Sequence, residues 1–337
     1  MPSNPRGVVP LNWPELVEEA TRRRKAEKMT QRQHAALAGV SIPTIVAFDR
    51  GERTLSLAKA FDILQVVGLI EASSMEGVQE TFVREAFNRW RELTVPLPEN
   101  SPGRLPHGWY RIDYALEGDL KSMGLRQFRD VLEASTVRHT GWPLFLFFKR
   151  PELAPYEIDE ALECWLRPED AGASRSWGDA VHCDFWRVAP TGRALTIRGY
   201  TEDGQETFPP HTILDTTLPT WRIGEAFLHA EKLAGFLAVD AAKINVRMRV
   251  LYTGLSGRVL RSWANPLADL FVEGRGARSD EAMLETVVPV SEINAGLAKH
   301  LQPLISSLFE RFGVSGLTTD KIESELIRMR SKYLSPI

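Results

Sequence analysis

The sequence has few of the features that mark secreted, zinc-binding and membrane proteins. Its 337 residues include two cysteines, Cys164 and Cys183, too few for a disulfide framework or a zinc module, so we expect both to be buried as small hydrophobes. Its longest apolar stretch, WPLFLFF at 142–148, is far shorter than the ~18 residues of a membrane span and predicts a buried strand. The N-terminus lacks the order of a secretion signal, so we expect a cytoplasmic protein with no membrane partner.

The short motifs of common enzyme classes are missing as well. No GxxxxGK[ST], GxSxG or HExxH string occurs, and these strings mark phosphate-binding loops, hydrolase nucleophiles and zinc peptidases. GLSG at 254–257 predicts a tight hairpin rather than a nucleophile elbow. VHCDFW at 181–186 would place His182 and Asp184 on one face of a strand, and we interpret it as the start of a strand with one buried thiol. We expect no catalytic residue, no cofactor and no metal.

Length and charge divide the chain unequally. A chain of 337 residues is long enough for two domains,. Residues 1–70 carry ten Lys/Arg and seven Asp/Glu, a net charge of +3, whereas the remaining residues carry −6. A basic N-terminal part on an acidic body indicates that any polyanionic partner meets the N-terminal part.

Short helical patterns separated by glycines fill the first 94 residues. Thr30, Ser41 and Ser56 are good N-caps, and Gln33 stands at the capping-box position after Thr30,. The predicted helices cover 13–28, 30–39, 41–51, 56–68 and 75–93. The segment VPLPENSPGRLPHG at 95–108 predicts a linker,. We therefore predict an all-α N-terminal domain at 1–94 with four to five helices, followed by a larger domain at 109–337.

The larger domain mixes strand and helix patterns without a regular alternation, which indicates an α+β fold with antiparallel strands and long amphipathic helices. Strands are predicted at 144–148, 162–166, 184–188, 194–200, 244–253, 257–263 and 284–290. Hairpins are predicted at 188–197 and 250–260, and helices at 120–134, 221–237, 291–312 and 319–333. The last two helices are candidate dimer surfaces, although such faces more commonly serve the core.

The segment TQRQHAALAGVSIPTIVAFDRGERTLSLAKAFDILQVVG at 30–68 has the parts of a helix-turn-helix. Gly39 supplies the tight turn, Val40 a buried plug and Ser41 the cap of the second helix, while Ala35 and Ile45 allow the two helices to pack. With the flanking helices, residues 13–70 resemble the lambda-repressor/Cro-like family, also called the XRE type, over about a fifth of the chain.

The resemblance implies which residues contact double-stranded DNA. Gln31 stands where members of the family use a glutamine to hold a phosphate and to support the recognition helix. Ser41 is the N-cap of that helix. Bases are contacted from the exposed first turns of that helix. The implied DNA-binding residues are Arg24, Gln31, Ser41, Ile42, Pro43, Thr44, Val46, Ala47, Arg50 and Arg53. Of these, Thr44, Arg50, Arg53 and Arg24 match backbone contacts.

The recognition face departs from the family pattern. Ile42, Pro43, Val46 and Ala47 carry no hydrogen-bonding side chain, so they cannot make bidentate contacts to guanine or adenine but can meet thymine methyl groups. We expect T-rich preferences, shape readout and affinity from phosphate contacts. An alternative is a helix-turn-helix used for protein contacts. We interpret His34 as a half-buried packing residue rather than a sensor.

These observations favour a transcription regulator, acting as a repressor, that binds a palindromic operator as a homodimer. Its C-terminal domain would dimerise and sense a small-molecule or protein effector, for which aromatic residues supply an apolar pocket. From HTGWPLFLFFKRP at 139–151 through TLPTWRIGEAFLHAEKLA at 217–234, the chain also loosely resembles C-terminal modules of bacterial regulators with a Schlafen AlbA-type domain, which implies regulation. The alternatives are a DNA-targeted effector or nuclease-like defence protein, and an antitoxin-like protein-interaction module.

Overall fold

The chain forms two compact units in the computed structural model, which describes residues 12–70, 75–167, 180–204, 207–264 and 275–331. The first unit is Met1–Arg84 and the second is Glu85–Ile337. The predicted linker at 95–108 therefore lies within the second unit. Arg104 donates hydrogen bonds to the carbonyls of Val95 and Leu97, and Leu105 is buried, so this segment is a packed loop rather than a spacer.

The described part of the first unit contains helices and no strand. These helices are α1 (Trp13–Ala26), α2 (Gln31–Leu37), α3 (Ile42–Asp49), α4 (Leu57–Val66) and α5 (Met75–Thr94), the last of which ends in the second unit. The predicted caps are confirmed: Thr30 and Gln33 form a capping box, and Ser41 and Ser56 accept backbone hydrogen bonds. Capping satisfies amide groups that a helix start leaves without a partner.

The core of the first unit lies between α1, α2, α3 and α4. Ile45 and Phe48 of α3 are completely buried, and the Trp13 ring meets the Phe48 ring edge-on at 5.4 Å. His34 is completely buried rather than half-buried. Its Nε2 lies 2.9 Å from the carbonyl oxygen of Ile63, so Nε2 carries the proton and donates it. Burial lowers the pKa of His34, although the hydrogen bond to Ile63 opposes this,.

We expect the stability of the first unit to fall as the pH drops below the ordinary histidine pKa of about 6.5. In the unfolded chain His34 takes up a proton there, whereas in the folded unit its lowered pKa keeps it neutral, so the proton favours unfolding. Hydrogen exchange of α2 and α4 amides between pH 7.5 and 5, corrected for intrinsic rates, should show protection lost on acidification. His34→Gln should flatten this dependence and His107→Gln should not; equal profiles would contradict the assignment.

The second unit contains nine strands and four further helices within its described residues. The strands are β1 (Trp109–Glu117), β2 (Tyr156–Ile158), β3 (Ala161–Trp165), β4 (Phe185–Ala189), β5 (Arg193–Gly199), β6 (Ile213–Asp215), β7 (Asn245–Tyr252), β8 (Val259–Arg261) and β9 (Ala282–Pro289). The helices are α6 (Leu125–Ala134), α7 (Leu218–Leu237), α8 (Val290–Glu310) and α9 (Thr319–Ser331). Short 3-10 helices lie at Pro102–Arg104, Pro151–Leu153, Ala180–His182, Thr201–Gly204 and Ala241–Lys243.

Seven strands form one antiparallel sheet in the order β2-β3-β4-β5-β1-β7-β9, while β6 and β8 form a separate parallel pair. The predicted α+β class is confirmed. The hairpin at 188–197 is also confirmed, since β4 pairs with β5 and Gly192 in the turn has φ +75°. The hairpin predicted at 250–260 is wrong because β8 pairs with β6 rather than with β7.

One continuous core joins a face of the sheet to α6, α7, α8 and α9. Helix α7 was predicted to be amphipathic, but it is buried on nearly all sides. At Gly224 of α7 an added Cβ would lie 3.0 Å from Leu326 and 3.4 Å from Leu301, so the glycine lets three helices approach closely. The apolar faces of α8 and α9 lie in this core, which removes them as dimer surfaces.

The segment at 144–148 is buried in part but is not the predicted strand. Arg198 of β5 donates to the carbonyls of Trp142, Pro143 and Leu144, so a guanidinium supplies the hydrogen bonds that a neighbouring strand would have supplied. Its Nε lies 3.0 Å from Oδ2 of buried Asp184. Within the described ranges, no helix combines the length and the apolar character needed to cross a membrane.

Arg198→Met is expected to lower the free energy of unfolding by about 3–5 kcal/mol, because it leaves the buried Asp184 carboxylate without its cation and removes the donor that binds the Pro143 and Leu144 carbonyls,. Urea unfolding of the full chain measures this loss. Arg126→Met, which removes an exposed arginine of α6, should change stability by no more than about 0.5 kcal/mol. Similar losses of unfolding free energy for both variants would show that the Arg198–Asp184 ion pair contributes no more to stability than an exposed arginine does.

Candidate nucleic-acid interface

The connection between α2 and α3 is a tight turn stabilised from both sides. Gly39 has φ +64°, a left-handed conformation that glycine adopts without steric cost. The amide of Val40 donates to the carbonyl of Ala35 at 3.0 Å, and the Val40 side chain is buried. Ser41 then caps α3 through its side-chain oxygen, 3.4 Å from the Thr44 amide. Turn, plug and cap therefore have the predicted local geometry.

Asp49, the last residue of α3, links α3 to α1 and α2 through hydrogen bonds. Its two carboxylate oxygens accept hydrogen bonds from both Nη atoms of Arg24 on α1, at 2.8 and 2.7 Å. Gln31, the first residue of α2, donates from Nε2 to Asp49 Oδ2 at 2.6 Å. A bidentate arginine–carboxylate pair fixes orientation as well as distance. The Gln31 side chain is thereby held at the exposed start of α2.

Arg24 does not have the position that the resemblance implied. Its side chain is 7% exposed and both Nη atoms bind Asp49. Because a phosphate contact would require the guanidinium to leave a buried ion pair, Arg24 is a positioning residue and not a backbone contact. Asp49 was not among the predicted residues. Its sequence signal was an acidic side chain at a helix C-terminus, where the helix dipole disfavours it and a cationic partner is needed.

The other predicted residues all reach solvent. Ile45 and Phe48 face the core, which leaves the remaining α3 positions on the outside. Gln31, Ser41, Pro43, Arg50 and Arg53 are exposed, and Ile42, Thr44, Val46 and Ala47 are partly exposed. Nine of the ten predicted residues, between positions 31 and 53, are therefore at least partly accessible.

Few polar groups on this face are unengaged. The Ser41 and Thr44 hydroxyl oxygens lie 2.9 Å apart and hydrogen bond to each other. Arg50 is 71% exposed and lies 3.9 Å from the Glu52 carboxylate, too far for a strong pair. The central side chains, Val46 and Ala47, are aliphatic. The face therefore offers van der Waals contact at its centre and positive charge after the C-terminal end of α3.

The segment at 181–186 contains the start of a strand, as we interpreted it, since β4 begins at Phe185, and His182 lies before that strand rather than on it. Residues 180–182 form a 3-10 helix, and Asp184 Oδ2 accepts a hydrogen bond from the Trp142 indole at 2.7 Å besides its contact with Arg198. Cys164 and Cys183 are buried thiols, as expected, and they do not form a disulfide bond. Among the described residues, no group of three or more His, Cys, Asp or Glu side chains is arranged to hold a metal ion.

Compared with known protein families, with characterised proteins and with solved structures, the chain matches none of them. The similarity of residues 13–70 to the lambda-repressor/Cro-like family thus remains an expectation from the quoted residues. Arguments about function therefore depend on the geometry around α2 and α3.

Two substitutions separate the positioning role of Arg24 from the surface role of Gln31. Arg24→Met leaves the Asp49 carboxylate half-buried without its cation and is expected to destabilise the first unit by about 3 kcal/mol. Gln31→Ala removes one exposed hydrogen bond and is expected to cost under about 1 kcal/mol. Hydrogen exchange of α2 and α3 amides in the full chain measures both. A tolerated Arg24→Met would return Arg24 to the set of candidate phosphate contacts.

Proposed function

We propose that this chain is a sequence-specific DNA-binding transcription regulator whose first unit uses α2 and α3 as a helix-turn-helix. The observation that carries the proposal is the bonding of Asp49 to Arg24 and Gln31. It fixes a short capped helix at a tight turn, with one face in the core and the other in solvent. A rigidly held, solvent-facing second helix is what insertion into the major groove requires.

In this proposal α3 enters the major groove with its first turns towards the bases. Pro43, Val46 and Ala47 contact thymine methyl groups, and sequence-dependent groove shape adds to the discrimination. Gln31 contacts a phosphate from the start of α2, while Arg50 and Arg53 contact phosphates beyond the end of α3. Since phosphate contacts supply much of the affinity, binding weakens steeply as salt increases.

A single α3 helix contacts only a few base pairs, so useful affinity needs two half-sites about one helical turn apart. We therefore propose a homodimer on a palindromic operator, acting as a repressor, in the cytoplasm. The apolar faces of α8 and α9 are used within the second unit, so dimerisation would need other surfaces. The larger unit would carry sensing, for which no cofactor or metal is invoked.

A second candidate function follows from the aliphatic character of α3. Ile42, Val46 and Ala47 are partly exposed without polar atoms in their side chains, and apolar exposed surface also suits contact with another protein. In that case the same helix pair would bind a partner chain in the manner of an antitoxin-like module. The two candidate functions differ in whether binding of the partner depends on the accessible arginines.

The deciding experiment is recovery of fragmented genomic DNA by the full-length protein. Wild type is expected to recover a few sharp sites with two-fold symmetry at moderate salt. Gln31→Ala/Arg50→Ala/Arg53→Ala should lose those sites, with affinity for the isolated site reduced at least about 100-fold, because three phosphate contacts are lost. Arg22→Ala is the matched control, since it removes an exposed arginine of α1 that pairs with Glu19.

Two results would count against regulation by DNA binding. One is diffuse recovery that the triple variant leaves unchanged. The other is equal loss in the triple variant and in Arg22→Ala, which would indicate general charge attraction only. If DNA recovery fails while a second protein co-purifies and is released by Val46→Glu, the protein-interaction function replaces the regulator.

A further inference from the structure

Strand β9 is one edge of the seven-stranded sheet, and no strand among the described residues pairs with its outer side. It is eight residues long, whereas β2 at the opposite edge has three residues. An edge strand presents a row of main-chain donors and acceptors on which another strand can pair, and many proteins keep such edges short. The length of β9 therefore makes its outer edge a candidate interaction surface.

The hydrogen bonding of β9 to β7 decides which of its residues face outwards. The amide of Val290 donates to the carbonyl of Ile244 at 2.9 Å, directly after the paired strands. Because bonded pairs alternate along an antiparallel ladder, the even-numbered residues of β9 use their main-chain groups on β7. The amides and carbonyls of Met283, Glu285 and Val287 point away from the sheet, where no described residue bonds to them.

The side chains on this edge are apolar on both sides of one carboxylate. Val287 is 43% exposed, Met283 is partly exposed, and Pro289 ends the strand. Glu285 is exposed and accepts a hydrogen bond from Arg247 of β7 at 2.9 Å. The edge thus offers apolar contact and a carboxylate that already lies beside a cation, rather than the unpaired charges that keep other edge strands apart.

We propose that β9 pairs antiparallel with β9 of a second copy of this chain, about a two-fold axis at Thr286. In this register Glu285 lies opposite Val287 of the second copy, and Met283 lies opposite Pro289 of the second copy. Every outward amide of Met283, Glu285 and Val287 then has a carbonyl acceptor, and Pro289 needs only to accept. The two seven-stranded sheets become one continuous sheet across the two copies.

Side-chain pairing favours this register over an axis at Glu285, which would use the same amides. An axis at Glu285 would place two carboxylates opposite each other, and like charges in that position destabilise an antiparallel pair. With the axis at Thr286, two threonines face each other, and Val287 of the second copy faces Glu285. The strand beyond that valine carries Arg247 of the second copy, so each carboxylate faces the other copy's cation.

The occupant is a second copy because β9 is complementary to itself. A two-fold interface places the same patch of surface on both sides, so its residues have to pair with one another. The choice also rests on the proposed function, which needs a homodimer, and the apolar faces of α8 and α9 are used within the core. Pairing of the β9 edges supplies a surface that the core does not use.

Disulfide trapping in the full-length protein tests the pairing and its register. Thr286→Cys places two thiols at a non-bonded pair, where the Cα atoms are about 4.5 Å apart and a disulfide can form. Glu285→Cys is the matched control, because its two copies would be diagonal neighbours about 7–8 Å apart. Under a mild oxidant, Thr286→Cys is expected to become a covalent dimer at least about tenfold faster than Glu285→Cys. The native cysteines are buried.

Sedimentation equilibrium without DNA measures the strength of the pairing. Wild type is expected to dimerise with a Kd in the micromolar range or tighter. Val287→Glu should weaken dimerisation at least about tenfold, because the two-fold axis sets two glutamates opposite Glu285. Val287→Lys sets a cation opposite the same carboxylate and should keep or strengthen the dimer. Val95→Glu, at another exposed valine, should dimerise as wild type does.

Four results would overturn the proposal. These are a wild type that stays monomeric at about 100 µM, a Val287→Glu variant that dimerises as wild type does, a Val287→Lys variant that dissociates as readily as Val287→Glu, and equally fast cross-linking of the two cysteine variants. Circular dichroism checks that each variant folds, and if Val287→Glu does not, the cysteine pair decides.

The outcome is distinguishable from failure of the proposed function, since neither measurement contains DNA. A β9 dimer from a protein that recovers no genomic site would sink the regulator and leave the pairing standing. A monomer that recovers sharp sites would do the reverse.

Discussion

A completely buried arginine, Arg258, fixes the central part of the second unit. All five of its N–H groups donate: Nε to the carbonyl of Gly254, Nη1 and Nη2 to Asp203, and the two remaining hydrogens to the carbonyls of Ile213 and His107. One side chain thus joins four segments that are distant in sequence. Gly254 is part of the same constraint, because an added Cβ would lie 2.7 Å from the His107 carbonyl oxygen. Since a buried charge without partners is costly, these segments have to fold together.

The sequence predicted the first unit better than the second because the first is governed by local rules. Caps at Thr30 and Ser41 and the left-handed turn at Gly39 depend on neighbours within a few residues. At 144–148, where a strand was predicted, the carbonyl of Leu144 instead accepts a hydrogen bond from Arg198, more than fifty residues away, and no periodicity reveals such a partner. The strand β1, which lies between β5 and β7 inside the sheet, was not predicted, although Tyr110, Ile112 and Tyr114 alternate as a strand requires.

At the candidate interface, sequence identified the surface but not what holds it. Nine of the ten predicted residues reach solvent, and for the five that lie on α3 helical spacing decides which side chains face outwards. Arg24 was misassigned because the residue type alone does not show whether an arginine contacts a phosphate or a carboxylate. The deciding partner, Asp49, is twenty-five residues away. Distance in sequence, rather than residue type, therefore limited the prediction of the site.

Buried carboxyls in the second unit are held in two ways. Arg198 with Asp184 and Arg258 with Asp203 each contain a cation and a carboxylate in contact. Glu202, Asp215 and Glu225 are also buried, but they accept hydrogen bonds from backbone amides or from the Thr140 hydroxyl. Because a buried polar group without a hydrogen-bond partner is costly, these amides and the hydroxyl do for the second set what the arginines do for the first. The fold of the second unit therefore depends on backbone geometry around Asp215 and Thr140 as much as on its buried ion pairs.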